Sequence, residues 1–364
     1  MNVKYFNKID QIQGLSEKEK TNLRTVTQRF PFRANEYYLG LINWEDPNDP
    51  IRNIIIPSPD EIDNWGNIDA SNEKKYTPVH GIEHKYPDTA ILLISRVCGS
   101  FCRFCFRKRL FYTSNREVAT DVTEGLEYIK NHPEINNVLL TGGECFILPT
   151  PKIENIISQL RNIPHVKIIR MGSKMVAFNP IRFLEDPSVF EMINKYSTAD
   201  KKIYIMAHFN HPRELTEEAL EVLHRFRKAG AEICNQTPLI KNVNDKVEVL
   251  VELFNKLSFA GIPPYYVFQC RPTLGNNAYS VPIETGYGLF SEAVTKVSGL
   301  SNRARYVMSH ASGKVEVIGM DDEKIYMKYH RAANPDDYNK IMIFNRNPEA
   351  KWLDDYILDE VEVA

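Results

Sequence analysis

Short apolar runs alternate with longer amphipathic stretches from Ala90 onward. This alternation limits the fold more than any other feature of the 364-residue chain. The runs are Ala90–Ser95, Asn137–Thr141, Val166–Met171, Ile203–Ala207, Ala231–Asn235 and Tyr265–Gln269. Helical patterns are expected near 121–132, 151–163, 186–196, 216–229, 244–260 and 283–298. Continuous apolar strands separated by helices indicate a parallel sheet whose crossovers cover it. Asp121, Thr216 and Asn244 are read as N-caps, and Gly230 and Gly261 as stops. Six such units predict an α/β fold, a partial (β/α)6 TIM-like barrel over residues 90–301. A doubly wound sheet is the alternative, and periodicity alone does not separate the two.

The flanks read differently. Residues 1–89 are rich in Pro, Asn, Asp and charge, and predict a helical and irregular region that wraps its neighbour. A helix is expected over Ser16–Gln28, because Ser16 followed by Glu19 is a capping-box pattern. Residues 302–364 predict a C-terminal extension. Its expected hairpin pairs Lys314–Met320 with Lys324–Tyr329 around Asp321-Asp322-Glu323, and its acidic end, Trp352–Ala364, is expected to cover a surface. With 25% charged and 43% hydrophobic residues, the chain is of globular type rather than disordered. Forty-five basic and 47 acidic residues give a net charge of −2, which argues against a nucleic-acid binder. No stretch reaches the ~18–20 apolar residues of a membrane span. The N-terminus lacks a signal-type apolar run, so a cytoplasmic, reducing location is expected.

Three of the six cysteines, Cys98, Cys102 and Cys105, lie in one C-x3-C-x2-C segment directly after the first barrel run. That is the C-terminal end of a strand, where barrel and open-sheet enzymes place their sites. Three thiolates on one loop suit three corners of a 4Fe–4S cluster, leaving one iron for S-adenosylmethionine (SAM) to chelate. One electron then cleaves the sulfonium to an adenosyl radical. The alternatives are a zinc site, a ferredoxin-type cluster with Cys145 as fourth ligand, and three buried thiols. Tetrahedral zinc wants a fourth Cys or His. Phe104 before the third cysteine favours the SAM reading, as does Gly142-Gly143-Glu144 at the end of the second run. There the glycines admit close backbone approach and Glu144 is placed to accept from the SAM ammonium.

Over most of its length the chain resembles the lysine 2,3-aminomutase family of radical SAM enzymes. The resemblance is carried by Pro31-Phe32-Arg33, Asp46–Ser58, His84-Lys85-Tyr86-Pro87-Asp88, Cys98–Arg109, Thr141–Glu144, His208–Pro212, Asn235-Gln236-Thr237 and Tyr265–Cys270. It implies a radical SAM barrel and three cofactors: the cluster, SAM and pyridoxal 5′-phosphate (PLP). The implied activity moves an α-amino group to the β-carbon of an amino acid, with a one-electron donor such as flavodoxin or ferredoxin and a homo-oligomeric assembly. By the same resemblance, Lys314 in His310-Ala311-Ser312-Gly313-Lys314 holds PLP as a Schiff base. Arg107 holds the substrate carboxylate, Lys85 and Tyr86 line the PLP side, and His208 and Gln236 lie near SAM. Lys85 and Thr89 each stand where the family has an arginine.

The chain departs from the lysine enzymes at their substrate clamp. Arg271 replaces one aspartate, and no acid lies between Tyr306 and Gly313, where the other is expected. An ammonium wants anionic acceptors, and a buried arginine facing it is repulsive. The implied substrate is therefore not L-lysine but an acidic amino acid such as glutamate, with Arg271 on its distal carboxylate. The alternative for Arg271 is pairing with a carboxylate such as Glu284. For the whole chain, the alternatives are a family member that has lost PLP and acts on another substrate, and a non-catalytic Fe–S protein.

Overall fold

The structure, a computed structural model, describes residues 3–362. Near the N-terminus β1 (Tyr5–Phe6) pairs antiparallel with β2 (Ala34–Asn35), and between them lies α1 (Glu17–Arg29). The capping box forms: Glu19 N donates to Ser16 Oγ at 3.3 Å and Ser16 N donates to Glu19 Oε2 at 2.8 Å. The short helices α2 (Glu36–Leu39) and α3 (Pro50–Ile55) follow.

Eleven strands then make one sheet. They are β3 (Ile82–Tyr86), β4 (Thr89–Ser95), β5 (Asn137–Gly142), β6 (Ile168–Ser173), β7 (Lys202–Ala207), β8 (Glu232–Pro238), β9 (Pro264–Phe268), β10 (Arg305–His310), β11 (Gly313–Met320), β12 (Lys324–Ala332) and β13 (Ile341–Asn345). The crossovers carry α4 (Thr123–Lys130), α5 (Thr150–Arg161), then α6 (Met175–Phe178), α7 (Ile181–Leu184) and α8 (Ser188–Tyr196), then α9 (Glu217–Lys228), α10 (Val247–Phe259) and α11 (Ile283–Thr295). A last helix, α12 (Leu353–Glu362), follows β13.

The strands lie in unbroken chain order from β3 to β13. A doubly wound sheet reverses its order at a switch point. Order without reversal decides for the barrel. Among the described residues nothing pairs β3 with β13, so the barrel is open. Strands β4 to β10 run parallel, while β3 and the β10–β13 stretch are antiparallel. The parallel set is thus seven strands, one more than the six runs predicted. The seventh, β10, carries the sheet straight into residues 302–345, where the expected hairpin gains a third strand, β13. Among the described residues no helix is long and apolar enough to cross a membrane.

Thr216 caps α9, accepting from Ala219 N at 3.2 Å, and Gly230 and Gly261 follow the helix ends at φ +94° and +71°. Asn244 is not a cap. The N-cap of α10 is Lys246, and Asn244 is buried, bonded to Ile240 N, Asn210 O and Pro238 O. The side chain ties its own loop, at Ile240 and Pro238, to the loop of Asn210, 34 residues back, instead of capping the helix. Asp121 sits one residue ahead of the observed cap, Val122, and accepts from Thr123 N at 2.9 Å.

The N-terminal region lies over one end of the barrel. Its buried Phe30, Tyr38, Ile51 and Ile54 share a core with Phe104, Phe178, Ile240 and Cys270. Those four come from the segments after β4, β6, β8 and β9, which are the C-terminal ends of the parallel strands. Of the tail, Trp352, Leu353 and Tyr356 are buried against the second half of the barrel; Val363 and Ala364 lie outside the described residues.

Candidate active site

The cysteine loop leaves β4 at the covered end of the barrel. Its backbone is held from above: Phe101 N donates to Arg33 O and Arg103 N to Ile54 O, both at 2.9 Å. Arg33 Nε donates to Cys98 O at 2.8 Å, and Asn35 Nδ2 to Gly99 O at 3.1 Å. The Arg103 guanidinium forks onto the buried Glu61 at 3.0 and 2.7 Å. Burial pushes the thiol pKa of Cys98 well up, that of Cys102 to about 12 and that of Cys105 up. The negative field of Cys105, Glu144 and Cys102 adds to the rise at Cys98. Thiols this costly to ionise become thiolates when a metal compensates the charge. Among the described residues, no three His, Cys, Asp or Glu side chains converge as the ligands of one metal ion do. Three cysteines on one loop match three corners of a four-iron cluster, whereas a closed zinc site wants a fourth Cys or His.

The Gly-Gly-Glu segment ends β5 beside this loop. A Cβ on Gly142 would stand 2.4 Å from Ser95 O, and one on Gly143 2.6 Å from Val97 O. The glycines are needed so that Gly143 N and Glu144 N can donate to those two carbonyls, at 2.6 and 2.8 Å. The close approach is thus to the cysteine loop itself. Glu144 is buried; its carboxylate accepts from the backbone N–H groups of Phe146, Lys174 and Met175 at 2.9–3.0 Å, and burial raises its pKa. Phe104 is buried in the core shared with the N-terminal region, edge-on to Tyr279 at 6.2 Å. His208 follows β7. Its Nε2 is buried with no hydrogen-bond partner among the described residues, and an orphaned buried nitrogen is what a bound ligand would satisfy. Gln236 alternates with the buried Asn235 and Thr237 along β8, so it faces the barrel interior, half-buried, in register with Tyr266.

Lys314 enters the same interior from β11. Its Nζ lies 4.5 Å from the Tyr266 ring centre and 5.8 Å from that of Phe268. It makes no ion pair among the described residues. Burial pushes its pKa down to about 7, and the fields of Arg170, Arg331, Arg271 and Lys85 push the same way. Sequence reasoning missed Arg170 and Arg331. Arg170 is on β6, and its Nε donates to Asn137 Oδ1 at 2.8 Å. The available signal was its place in an otherwise apolar strand run. Lys85 Nζ is tied to His310 O, and its pKa falls to about 8, chiefly by burial. Burial raises Tyr86 to about 12, and the Arg331 guanidinium lies over its ring at 4.4 Å. A buried cation without an anion is costly. Several lining one space fit a ligand that carries phosphate or carboxylate, and Lys314 fits an aldehyde cofactor.

Arg107 is otherwise placed than expected. Its guanidinium is buried between Glu73 (3.1 and 3.0 Å) and Glu83 (2.8 Å), so a substrate carboxylate would have to displace one of them. Arg109 Nη2 joins Glu73 at 2.6 Å and Arg271 Nη1 lies 3.6 Å from it. Arg271 also donates to Ser71 Oγ at 2.6 Å and stacks on Phe106 at 3.6 Å. Glu284 is not its partner; that carboxylate holds Arg346 at 2.6 Å. Burial lowers the Arg271 pKa to about 10 in spite of Glu73.

The sequence signature of the Radical SAM superfamily matches residues 92–254, the stretch that carries the cysteine loop and the first five parallel strands. The barrel is thus that of a radical SAM protein. The chain is 57% identical to a "Putative L-lysine 2,3-aminomutase" of Aquifex aeolicus, over 97% of its own length and 95% of that protein. It is 35% identical to L-lysine 2,3-aminomutase of Clostridium subterminale, over 75% and 65% of the two chains. It is 31% identical to glutamate 2,3-aminomutase of Clostridioides difficile, over 80% and 68%. The chain belongs to the lysine 2,3-aminomutase family of radical SAM enzymes.

Proposed function

We propose that this enzyme is a PLP-dependent amino-acid 2,3-aminomutase whose substrate carries a second acidic group, such as glutamate or a relative, rather than L-lysine. The cationic lining around Lys314 carries the reading: Lys85, Arg170, Arg271 and Arg331 all bear on one amine. Of the carboxylates on this side of the barrel, Glu73 and Glu83 are engaged by Arg107 and Arg109, and Asp88 by Arg331. A distal ammonium would find repulsion there, and a distal carboxylate would find donors.

On this reading Cys98, Cys102 and Cys105 hold the cluster. Gly142, Gly143, Glu144, Phe104, His208 and Gln236 border SAM, and Lys314, Lys85 and Tyr86 border PLP. When bound, SAM and the reduced cluster supply an adenosyl radical, and PLP supplies a conjugated system that stabilises an unpaired electron. The residues do the rest. Lys314, its pKa lowered to about 7, is about half neutral at neutral pH, and a neutral amine is the nucleophile that holds an aldehyde. Arg271, stacked on Phe106, gives one donor to Ser71, and its other N–H groups are the ones a distal carboxylate would take. Arg107 acts as a positioning residue through Glu73 and Glu83. A one-electron donor such as flavodoxin or ferredoxin in a reducing cytoplasm completes the reading.

The test is anaerobic reconstitution with iron, sulfide and PLP, then SAM, dithionite and a panel of L-amino acids. 5′-Deoxyadenosine and a β-amino acid from glutamate or a relative, with lysine inert, are expected. Lysine turnover at a comparable rate would overturn the substrate assignment. Arg271→Asp is expected to lower kcat/KM on the acidic substrate by about 10²-fold, since it removes a charge-assisted contact of ~1.5–3 kcal/mol and adds repulsion. Unchanged activity in that variant would remove the clamp.

A further inference from the structure

Lys314 and Arg331 are direct cross-strand partners in the β11–β12 ladder. Opposed residues of an antiparallel pair project from the same face, with Cβ atoms about 4.5–5.5 Å apart. Lys314 points into the barrel over Tyr266, so Arg331 is delivered into the same space. Its guanidinium lies over Tyr86 at 4.4 Å, close to Lys85, whose Nζ is 5.7 Å from that ring. Arg331 is tied to Asp88, with a weak contact to Tyr338 OH at 3.4 Å. Asp88 is half exposed, so the pair is readily exchanged for a stronger anion. A planar guanidinium with free N–H groups matches a phosphate better than a single carboxylate oxygen does.

We propose that Arg331, carried by β12 as the cross-strand partner of Lys314, grips the phosphate of PLP and exchanges Asp88 for it when the cofactor binds. The proposal rests on the PLP reading above and adds the residue that anchors the phosphate arm, which sits on the ring carbon next to the one that bears the aldehyde. The arrangement makes one hairpin responsible for both the aldehyde and the phosphate of PLP, as suits groups on adjacent ring carbons. The two strands must pair correctly before the cofactor can be held at all.

The experiment compares binding of PLP with binding of pyridoxal, which lacks the phosphate, to the cluster-loaded protein. Binding is followed by the absorption of the lysine-held cofactor and by borohydride fixation, without turnover. Arg331→Ala is expected to weaken PLP by tenfold or more and to leave pyridoxal unchanged. Asp88→Asn, which frees the guanidinium, is expected to hold PLP as tightly as the wild type or tighter. Equal weakening of PLP and pyridoxal by Arg331→Ala would make Arg331 a structural tether and overturn the proposal. So would a loss in Asp88→Asn matching that of Arg331→Ala. A wild-type protein that captures neither aldehyde would defeat the PLP reading itself. That outcome is distinct from one in which both aldehydes are captured without any preference for the phosphate, which defeats only the role of Arg331. Should Arg331→Ala fold poorly, Arg331→Lys keeps the charge without the fork and is expected to fall between wild type and alanine for PLP alone.

Discussion

Replacing Lys314 with methionine is expected to abolish covalent capture of PLP and to raise the stability of the cofactor-free protein in the same step. The first effect follows because no other lysine shares its position, over Tyr266 and Phe268 at 4.5 and 5.8 Å. Aminomutase activity should fall by at least ~10³-fold, since the group that holds the cofactor in place is gone. The second effect follows from linkage. Burial and four neighbouring cations hold the Lys314 pKa at about 7, against 10.5 unfolded. Between those values the unfolded chain binds a proton that the folded one does not. Stability therefore rises with pH across that window and is lowest below about 7. At ~1.4 kcal/mol per unit the full shift is ~4–5 kcal/mol; relaxation around a cavity-lining amine leaves an expected gain of about 1–3 kcal/mol for methionine. Urea melts at pH 6 and pH 10 check this: the gap between variant and wild type should be wide at pH 6 and narrow at pH 10. A methionine variant that is less stable at pH 6 would mean that Lys314 has an anionic partner in the folded protein.

Replacing Glu73 with glutamine is expected to cause the largest loss of stability of any single isosteric change in the site. One buried carboxylate serves Arg107 at 3.0 Å and Arg109 at 2.6 Å, with Arg271 at 3.6 Å. Those cations pull its pKa down against the opposing effect of burial. Neutralising it leaves three buried guanidinium groups competing for Glu83, Glu117 and Ser71. Removing one partner of a buried pair costs about 3–5 kcal/mol. Glu83→Gln should cost far less, within about 1 kcal/mol. Burial raises the Glu83 pKa, its Oε1 has no partner, and an amide oxygen still accepts from Arg107. The pH dependences have opposite signs. Glu73 contributes stability above its unfolded pKa of 4.5, and this is lost as pH falls below that value. The contribution of Glu83 is fully present below 4.5 and is lost as pH rises through its higher folded value. Denaturant melts of both variants between pH 4 and 8 check the pair; equal losses at pH 7 would refute this division of roles.

The legible part of the molecule was the part written in local pattern. The alternation of apolar runs with helical stretches announced β4 to β9, because side-chain period and strand length are properties of a few successive residues. Ser16, Thr216, Gly230 and Gly261 acted as read, because caps and stops are made by neighbours in sequence. The cysteine spacing and the Gly-Gly-Glu segment were legible for the same reason. Strands β3, β10 and β13 were not. They are edge or late strands whose pairing partners, rather than their own composition, make them strands.

The sequence by itself determined the class of fold and singled out the cysteine loop and the candidate cofactor lysine. Each rests on residue types at short, fixed spacing. Only the tertiary structure decided between barrel and doubly wound sheet, because strand order is a relation between segments far apart in the chain. It alone put Glu73 against Arg107, 34 residues on, and joined that arginine, expected at a substrate carboxylate, to a buried ion network. It alone brought Arg271 to Ser71, 200 residues away, and set Arg331 beside Lys314. Charge acts over a few ångströms in space and is indifferent to separation along the chain. The chemistry of the barrel interior is therefore set by register and by loop closure, and these become definite only once the sheet has formed.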